Sequence, residues 1–121
     1  MQILGLLISD KAEIDQGTSK LDILGVFNTI NSYNFPAKHA EFIVTVITEG
    51  DPCDRNYSVD IELAGKKIVG LKENISSGER NYLFARFANV IFPMAGKYTV
   101  RVEVNGIKAE TNLYLKLASH T

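Results

Sequence analysis

The chain has 121 residues, 45% of them hydrophobic and 22% charged, with a formal net charge of −1 and a single cysteine. That length fits one domain with room for a substantial core, so neither a disulfide nor a metal is needed to hold it together, and one thiol excludes an intrachain disulfide. The near-neutral balance lacks the basic stripe that nucleic acid or anionic lipid selects, so neither partner is expected.

The first segment, Met1 to Ser9, is apolar but short, has no basic residue ahead of it, and runs into Asp10 without a small-residue cleavage site, which is unlike a secretory signal. No stretch approaches the roughly 20 apolar residues of a membrane helix. Cys53 sits between Pro52 and Asp54 in a polar loop, the setting of a free thiol in a reducing compartment, so a cytoplasmic location is expected. The triplets Asn56-Tyr57-Ser58 and Asn74-Ile75-Ser76 match the glycosylation sequon, but that compartment argues against their use.

In chain order, Ile3 to Ile8 is a near-continuous apolar run suited to a covered strand, and Asp10 to Asp15 reads as a second, shorter strand or an extended edge. Gln16 to Lys20 is a turn cluster. Leu21 to Asn28 returns as a strand, with Ile23, Gly25 and Phe27 alternating against Leu24 and Val26; a glycine in mid-strand signals a bulge or a close backbone approach. Asn31 to Ala40 is a long connection in which only Ala37 to Ala40 could form a helical turn. Glu41 to Glu49 is a strong strand, Phe42, Val44 and Val46 against Ile43, Thr45 and Ile47. After the loop at Gly50 to Arg55, Tyr57, Val59, Ile61 and Leu63 alternate with Ser58, Asp60, Glu62 and Ala64. Gly65 marks a tight turn, Lys67 to Leu71 forms a short strand, and Lys72 to Arg80 is charged and flexible. Tyr82 to Phe87 is a further strand leading through Ala88 to Phe92.

The clearest statement in the sequence is Phe92 to Gly106. Pro93 and Gly96 turn the chain. Tyr98, Val100, Val102 and Val104 then share one face, with Lys97, Thr99, Arg101 and Glu103 on the other. The Gly96-Lys97-Tyr98 entry has the form of a tyrosine corner, in which a strand tyrosine bonds back to nearby backbone. Asn105-Gly106 suits a two-residue hairpin, whose central positions both need φ > 0. The last strand, Lys108 to Leu117, follows. About eight short strands at regular spacing, with no capped 3.6-residue period, predict an all-β fold. The expectation is one domain, residues 1–121, folded as an immunoglobulin-like β-sandwich of about eight antiparallel strands.

Two segments carry a resemblance. The first runs from Ser9 to Ile30 and continues to Phe35-Pro36. The second runs from Phe92 to Tyr98 and on to Val104-Asn105-Gly106. Together they resemble a family of small uncharacterised, mostly bacterial proteins, a domain of unknown function. What the resemblance implies is a single β-sandwich with no assigned activity. It transfers no catalytic residue, because the matching positions are Gly, Pro, Tyr and core apolars.

Candidate chemistry is sparse. Asp10, Glu13, Asp15 and Asp22 gather acidity near the first turn, but the alternating ligands and terminal Glu of a calcium loop are missing. His39 and His120 are too few for a zinc site, and His39 reads as a surface loop residue. Cys53 has acidic neighbours, Asp51 and Asp54, which oppose the thiolate a nucleophile needs. No catalytic, cofactor or metal-binding residue is assigned, and no enzyme is expected. One segment is anomalous. If Leu83, Ala85 and Phe87 face the core, then Tyr82, Phe84 and Arg86 face outward together, the residue types of interface hot spots. Ile43 and Ile47 likewise share the face opposite Phe42. These five form the candidate interaction surface, for a protein partner or a homo-oligomer. The alternative function is small-ligand or carbohydrate binding by end loops, with Tyr33, Phe35 and Tyr57 supplying stacking.

Overall fold

The computed structural model of the chain describes residues 1–50, 55–75 and 82–118. Within them nine strands form two sheets. They are β1 (Gln2–Ile14), β2 (Leu21–Val26), β3 (Thr29–Ser32), β4 (Ala37–Glu49), β5 (Arg55–Leu63), β6 (Lys66–Ile75), β7 (Tyr82–Phe92), β8 (Gly96–Val104) and β9 (Ile107–Leu117). One sheet has the order β2-β1-β4-β7, the other β3-β9-β8-β5-β6.

Period-2 alternation builds the core between the sheets. Phe42, Val44 and Val46 of β4 and Leu83, Ala85 and Phe87 of β7 face Val59 and Ile61 of β5, Val100 and Val102 of β8, and Leu113 and Leu115 of β9, all buried. Each of these side chains other than Ala85 contributes about 1.5–3 kcal/mol on leaving water. The two sheets are therefore bonded through side chains, and each strand has a second face turned outward.

The predicted corner is present. The Tyr98 hydroxyl donates to the Met94 carbonyl at 2.7 Å, with the ring fully buried and set edge-on to Phe92. Asn105 and Gly106 have φ of 47° and 84° and close the β8–β9 hairpin. Asn105 then reaches sideways: its Oδ1 accepts from the Asn56 amide at 2.8 Å and its own amide donates to the Asn56 carbonyl at 2.9 Å. Gly25 has φ 71° with the Asp10 side chain against it, the close approach its position in the strand predicts.

Several expectations change. The strands are not all antiparallel: β3 lies parallel to β9, Thr29 beside Tyr114 and Ser32 beside Leu117. The segment read as one strand, Leu21 to Asn28, splits, because the chain crosses between sheets within two residues. The Phe27 amide donates to Ile8 of β1, while the Asn28 carbonyl accepts from Tyr114 of β9. Asp10 to Ile14 is the continuation of β1 rather than a separate strand, and Ala37 to Ala40 opens β4 rather than forming a helical turn. Lys72 to Ile75 completes β6, and Ala88 to Phe92 completes β7. Polar side chains masked these lengths, but a ladder is held by backbone hydrogen bonds that any non-proline residue supplies. In β7 the buried side also changes, from Leu83, Ala85 and Phe87 to Val90 and Phe92, at Asn89, where φ is 54°. The loop containing Cys53, the Ser76-Ser77-Gly78 tip and His120 lie outside the described residues.

Candidate interaction face

Register places the outward residues of the four-stranded sheet in rows. On β4 and β7, Ile47 stands beside Tyr82, Thr45 beside Phe84 and Ile43 beside Arg86. On β1, Gly5, Leu7 and Ser9 stand beside the same β4 residues in the same order. Val26 of β2 then extends the row of Ser9, and Leu24 stands beside Lys11. The register slips between Ile3 and Gly5, which leaves Leu4 as the extra residue of a bulge, 57% exposed.

All five residues of the candidate surface therefore share one face. They are not equally exposed. Tyr82, Phe84 and Ile47 are half-buried and the Arg86 side chain is exposed. Ile43 is a correction, because it is 3% exposed. It sits on a central strand between β1 and β7, where neighbouring side chains close over it. Thr45, in the next row, is fully buried, and among the described residues its Oγ1 has no hydrogen-bond partner. Arg86 Nε lies 3.5 Å from Glu41 Oε1, an exposed pair worth at most about 1 kcal/mol. Leu4, Leu7, Leu24 and Val26 complete the face. Leu4 and Leu7 were hidden in a run too uniformly apolar to show sides, while the Leu24–Val26 alternation was readable.

The opposite outer face, on the five-stranded sheet, has different chemistry. Its rows are Asp60 beside Arg101 beside Glu110, Glu62 beside Thr99 beside Asn112, and Ser58 beside Glu103 beside Lys108. Arg101 bridges Glu62 at 3.2 Å and Glu110 at 3.4 Å, and Lys67 lies 3.8 Å from Asp60. That face is paired and wet. The two sheets thus differ sharply in what they show to solvent.

The aromatic residues proposed for stacking do not converge. Tyr57 pairs with Val104 beside the Asn105-Gly106 hairpin, whereas Tyr33 and Phe35 follow Ser32, which pairs with Leu117 at the other end of β9. Tyr57 is moreover a core residue, 2% exposed. Its hydroxyl donates to Glu73 Oε2 at 2.8 Å and lies 3.2 Å from the Phe84 carbonyl. Burial, with the Glu73 carboxylate adding to it, holds its pKa well above the ordinary tyrosine range. Beside it opens a concavity of about 750 Å³, lined by polar residues that include Asn56, Lys72, Asn74 and Glu103.

Other candidates settle into structural places. Asp15 Oδ1 accepts from the amides of Gly17 at 2.8 Å and Thr18 at 3.0 Å, and these bonds hold its pKa below the usual carboxylate range. His39 is a second correction: it is half-buried on β4, its ring 5.7 Å from Phe27 and 5.6 Å from Phe42, so it edges the core rather than a loop. Arg55, expected in a loop, is fully buried at the start of β5 and is partnered there. Among the described residues no group of three or more His, Cys, Asp and Glu side chains is placed to hold a metal ion, and no helix is long and apolar enough to cross a membrane.

Two antiparallel-rich sheets closed on a common core define a β-sandwich, with one outer face of paired charges and one whose central rows are largely apolar between charged margins. The chain belongs to a family of unknown function, DUF6941, whose model matches residues 4–116. No curated protein matches the sequence.

Proposed function

We propose that this sandwich is a non-enzymatic protein-interaction module whose working surface is the outer face of the β2-β1-β4-β7 sheet. The single observation that carries the reading is the contrast between its two outer faces. The five-stranded sheet presents Asp60, Arg101, Glu62 and Glu110 in ion pairs, while the four-stranded sheet presents Leu4, Leu7, Leu24, Val26, Ile47, Tyr82 and Phe84. Apolar surface of this kind, exposed at Leu4, Leu24 and Val26 and half-buried at Leu7, Ile47, Tyr82 and Phe84, marks a site that another surface covers. Tyr82, Phe84 and Arg86 add the side chains that dominate interface energetics. A single cysteine and the near-neutral balance of the chain are in keeping with a cytoplasmic setting and with partners other than nucleic acid or membrane.

The immunoglobulin-like reading of the sandwich is supported by the tyrosine corner on β8 and by the sheet that joins β8, β9 and β5. The small-ligand alternative draws on the concavity beside Tyr57, whose size falls within the range of ligand sites. It lacks an exposed aromatic platform, because the Tyr57 ring is in the core.

The test is affinity capture from native lysate with the wild-type chain, Phe84→Glu on the apolar face and Thr99→Glu on the polar face. The same specific protein should be retained by the wild type and Thr99→Glu and lost with Phe84→Glu. Equal retention by all three, or retention by none, would remove the apolar face as the working surface.

A further inference from the structure

We infer that the occupant of this face is a second copy of the same chain, packed face to face about a two-fold axis that crosses the strands at the level of Thr45. The inference rests on the reading of the apolar face as the working surface and names its partner.

Size is the first support. The four strands have 13, 13, 11 and 6 residues. The axis lays β1, β4 and β7 over themselves but not β2, which leaves this sheet after Val26; three strands about 4.8 Å apart, of about nine residues at about 3.3 Å, cover roughly 430 Å² in projection. Side-chain relief raises the accessible area toward roughly 600 Å² per partner, the low end of specific interfaces and in keeping with a weak dimer. Sheets of two copies would meet about 10 Å apart, with strands crossing at about 30°.

Order is the second. Along β7 the outward residues run Tyr82, Phe84, Arg86, level with Ile47, Thr45 and Ile43 of β4. An axis across the strands at Thr45 reverses that order in the second copy. Phe84 then meets Phe84, Leu7 of β1 meets Leu7, and the Arg86 guanidinium of each copy comes over the Tyr82 ring of the other. A cation over an aromatic face is attractive, more so when water is excluded. Arg86 keeps Glu41 at 3.5 Å, so its charge enters the interface paired rather than bare. At the rim, Glu49, which accepts from Gln2 Nε2 at 3.0 Å, comes level with Glu41 of the other copy; Lys11 lines the same concavity as that Glu41 and balances it. Charge is the third support: a net charge of −1 leaves little repulsion between identical chains.

The experiment is sedimentation velocity with light scattering on the full chain from about 1 to 200 µM, where mass action reveals a dimer. The mass should rise with concentration from 13.4 kDa toward twice that value. Phe84→Glu, and independently the exposed Leu4→Glu, should hold it at 13.4 kDa with the β-sheet circular dichroism intact. Arg86→Ala and Tyr82→Ala should each weaken the dimer on the order of tenfold, and the double variant little further, because each removes the same contact. In a Cys53→Ser background, Phe84→Cys should be cross-linked between copies by a bismaleimide of about 10 Å reach, since the axis brings position 84 opposite itself at the sheet-to-sheet spacing. A wild-type mass of 13.4 kDa at every concentration overturns the second copy as partner and leaves the face itself to the capture experiment. A dimer that survives both glutamate substitutions, with no bismaleimide cross-link at position 84, overturns the face as well. If Phe84→Glu fails to fold, Leu4→Glu and the bismaleimide cross-link decide.

Discussion

Removing one atom from the corner measures what holds β8 in place. Tyr98→Phe keeps the ring, its full burial and its edge-on contact with Phe92 at 5.2 Å, and deletes only the hydroxyl that donates to the Met94 carbonyl at 2.7 Å. A net buried hydrogen bond is worth about 0.5–1.5 kcal/mol, and an acceptor left dry costs more. Met94 is 55% exposed, so water can reach its carbonyl after the change and the cost falls near about 1 kcal/mol. For a domain of this size that corresponds to a fall in Tm of roughly 3–6 °C. Deleting the ring as well, in Tyr98→Ala, should cost about 3–5 kcal/mol, because a cavity opens in the core. The assay is urea unfolding followed by circular dichroism, comparing midpoints at constant slope. A Tyr98→Phe midpoint equal to wild type would refute the hydroxyl as a tie between the corner and the strand. A loss as large as that of Tyr98→Ala would show that the bond organises the corner rather than merely closing it.

Thr45→Val should raise stability by about 1 kcal/mol, because it replaces a buried hydroxyl without a partner among the described residues by an isosteric methyl; any loss in a guanidinium titration would mean the hydroxyl is bonded. Gly25→Ala should cost roughly 1–2 kcal/mol at a φ of 71°, with the new Cβ 2.5 Å from Asp10 Oδ2. Adding Asp10→Ala should recover the steric share and not the backbone share, so a double-mutant cycle showing no coupling would count against the contact. Tyr57 gives a pH signature. Its folded pKa is raised, so the unfolded chain loses this proton first; the stability it contributes is fully present below about pH 10 and declines as the pH rises above that value. Urea midpoints taken from pH 8 to about 11 should fall less steeply for Tyr57→Phe than for wild type, and identical slopes would refute the assignment.

Strands whose two faces differ in polarity were legible. In β8, Tyr98, Val100, Val102 and Val104 against Lys97, Thr99, Arg101 and Glu103 give face, register and hairpin together, because the period of side chains on a strand is 2 and the Asn105-Gly106 turn leaves no freedom to slip. Strand ends were not legible where polar residues pair by backbone alone, as at Lys72 to Ile75, and the continuity of Asp10 to Ile14 with the strand before it was not legible either. The crossing at Phe27–Asn28 leaves no mark in side-chain pattern either, since it is made by two main-chain hydrogen bonds to different sheets. Within the candidate face, the outward direction of Tyr82, Phe84 and Arg86 followed from Leu83, Ala85 and Phe87 facing inward. The burial of Ile43 did not, because it depends on β1 and β7 flanking β4.

The sequence by itself determined an all-β chain, the close approach at Gly25, the turns at the tyrosine corner and Asn105-Gly106, and which residues alternate toward a core. These are local consequences of φ preferences and of side chains pointing to opposite sides of a strand. Only the tertiary structure decided which strands are neighbours, and with that the chemistry of each outer face. Leu7, Ile47 and Phe84 are far apart in the chain and become one apolar surface because β1, β4 and β7 are adjacent. Asp60, Arg101 and Glu110 become a paired polar surface because β5, β8 and β9 are adjacent. A strand's own pattern says which side is wet, but the character of a face is the sum over strands that long-range pairing alone brings together.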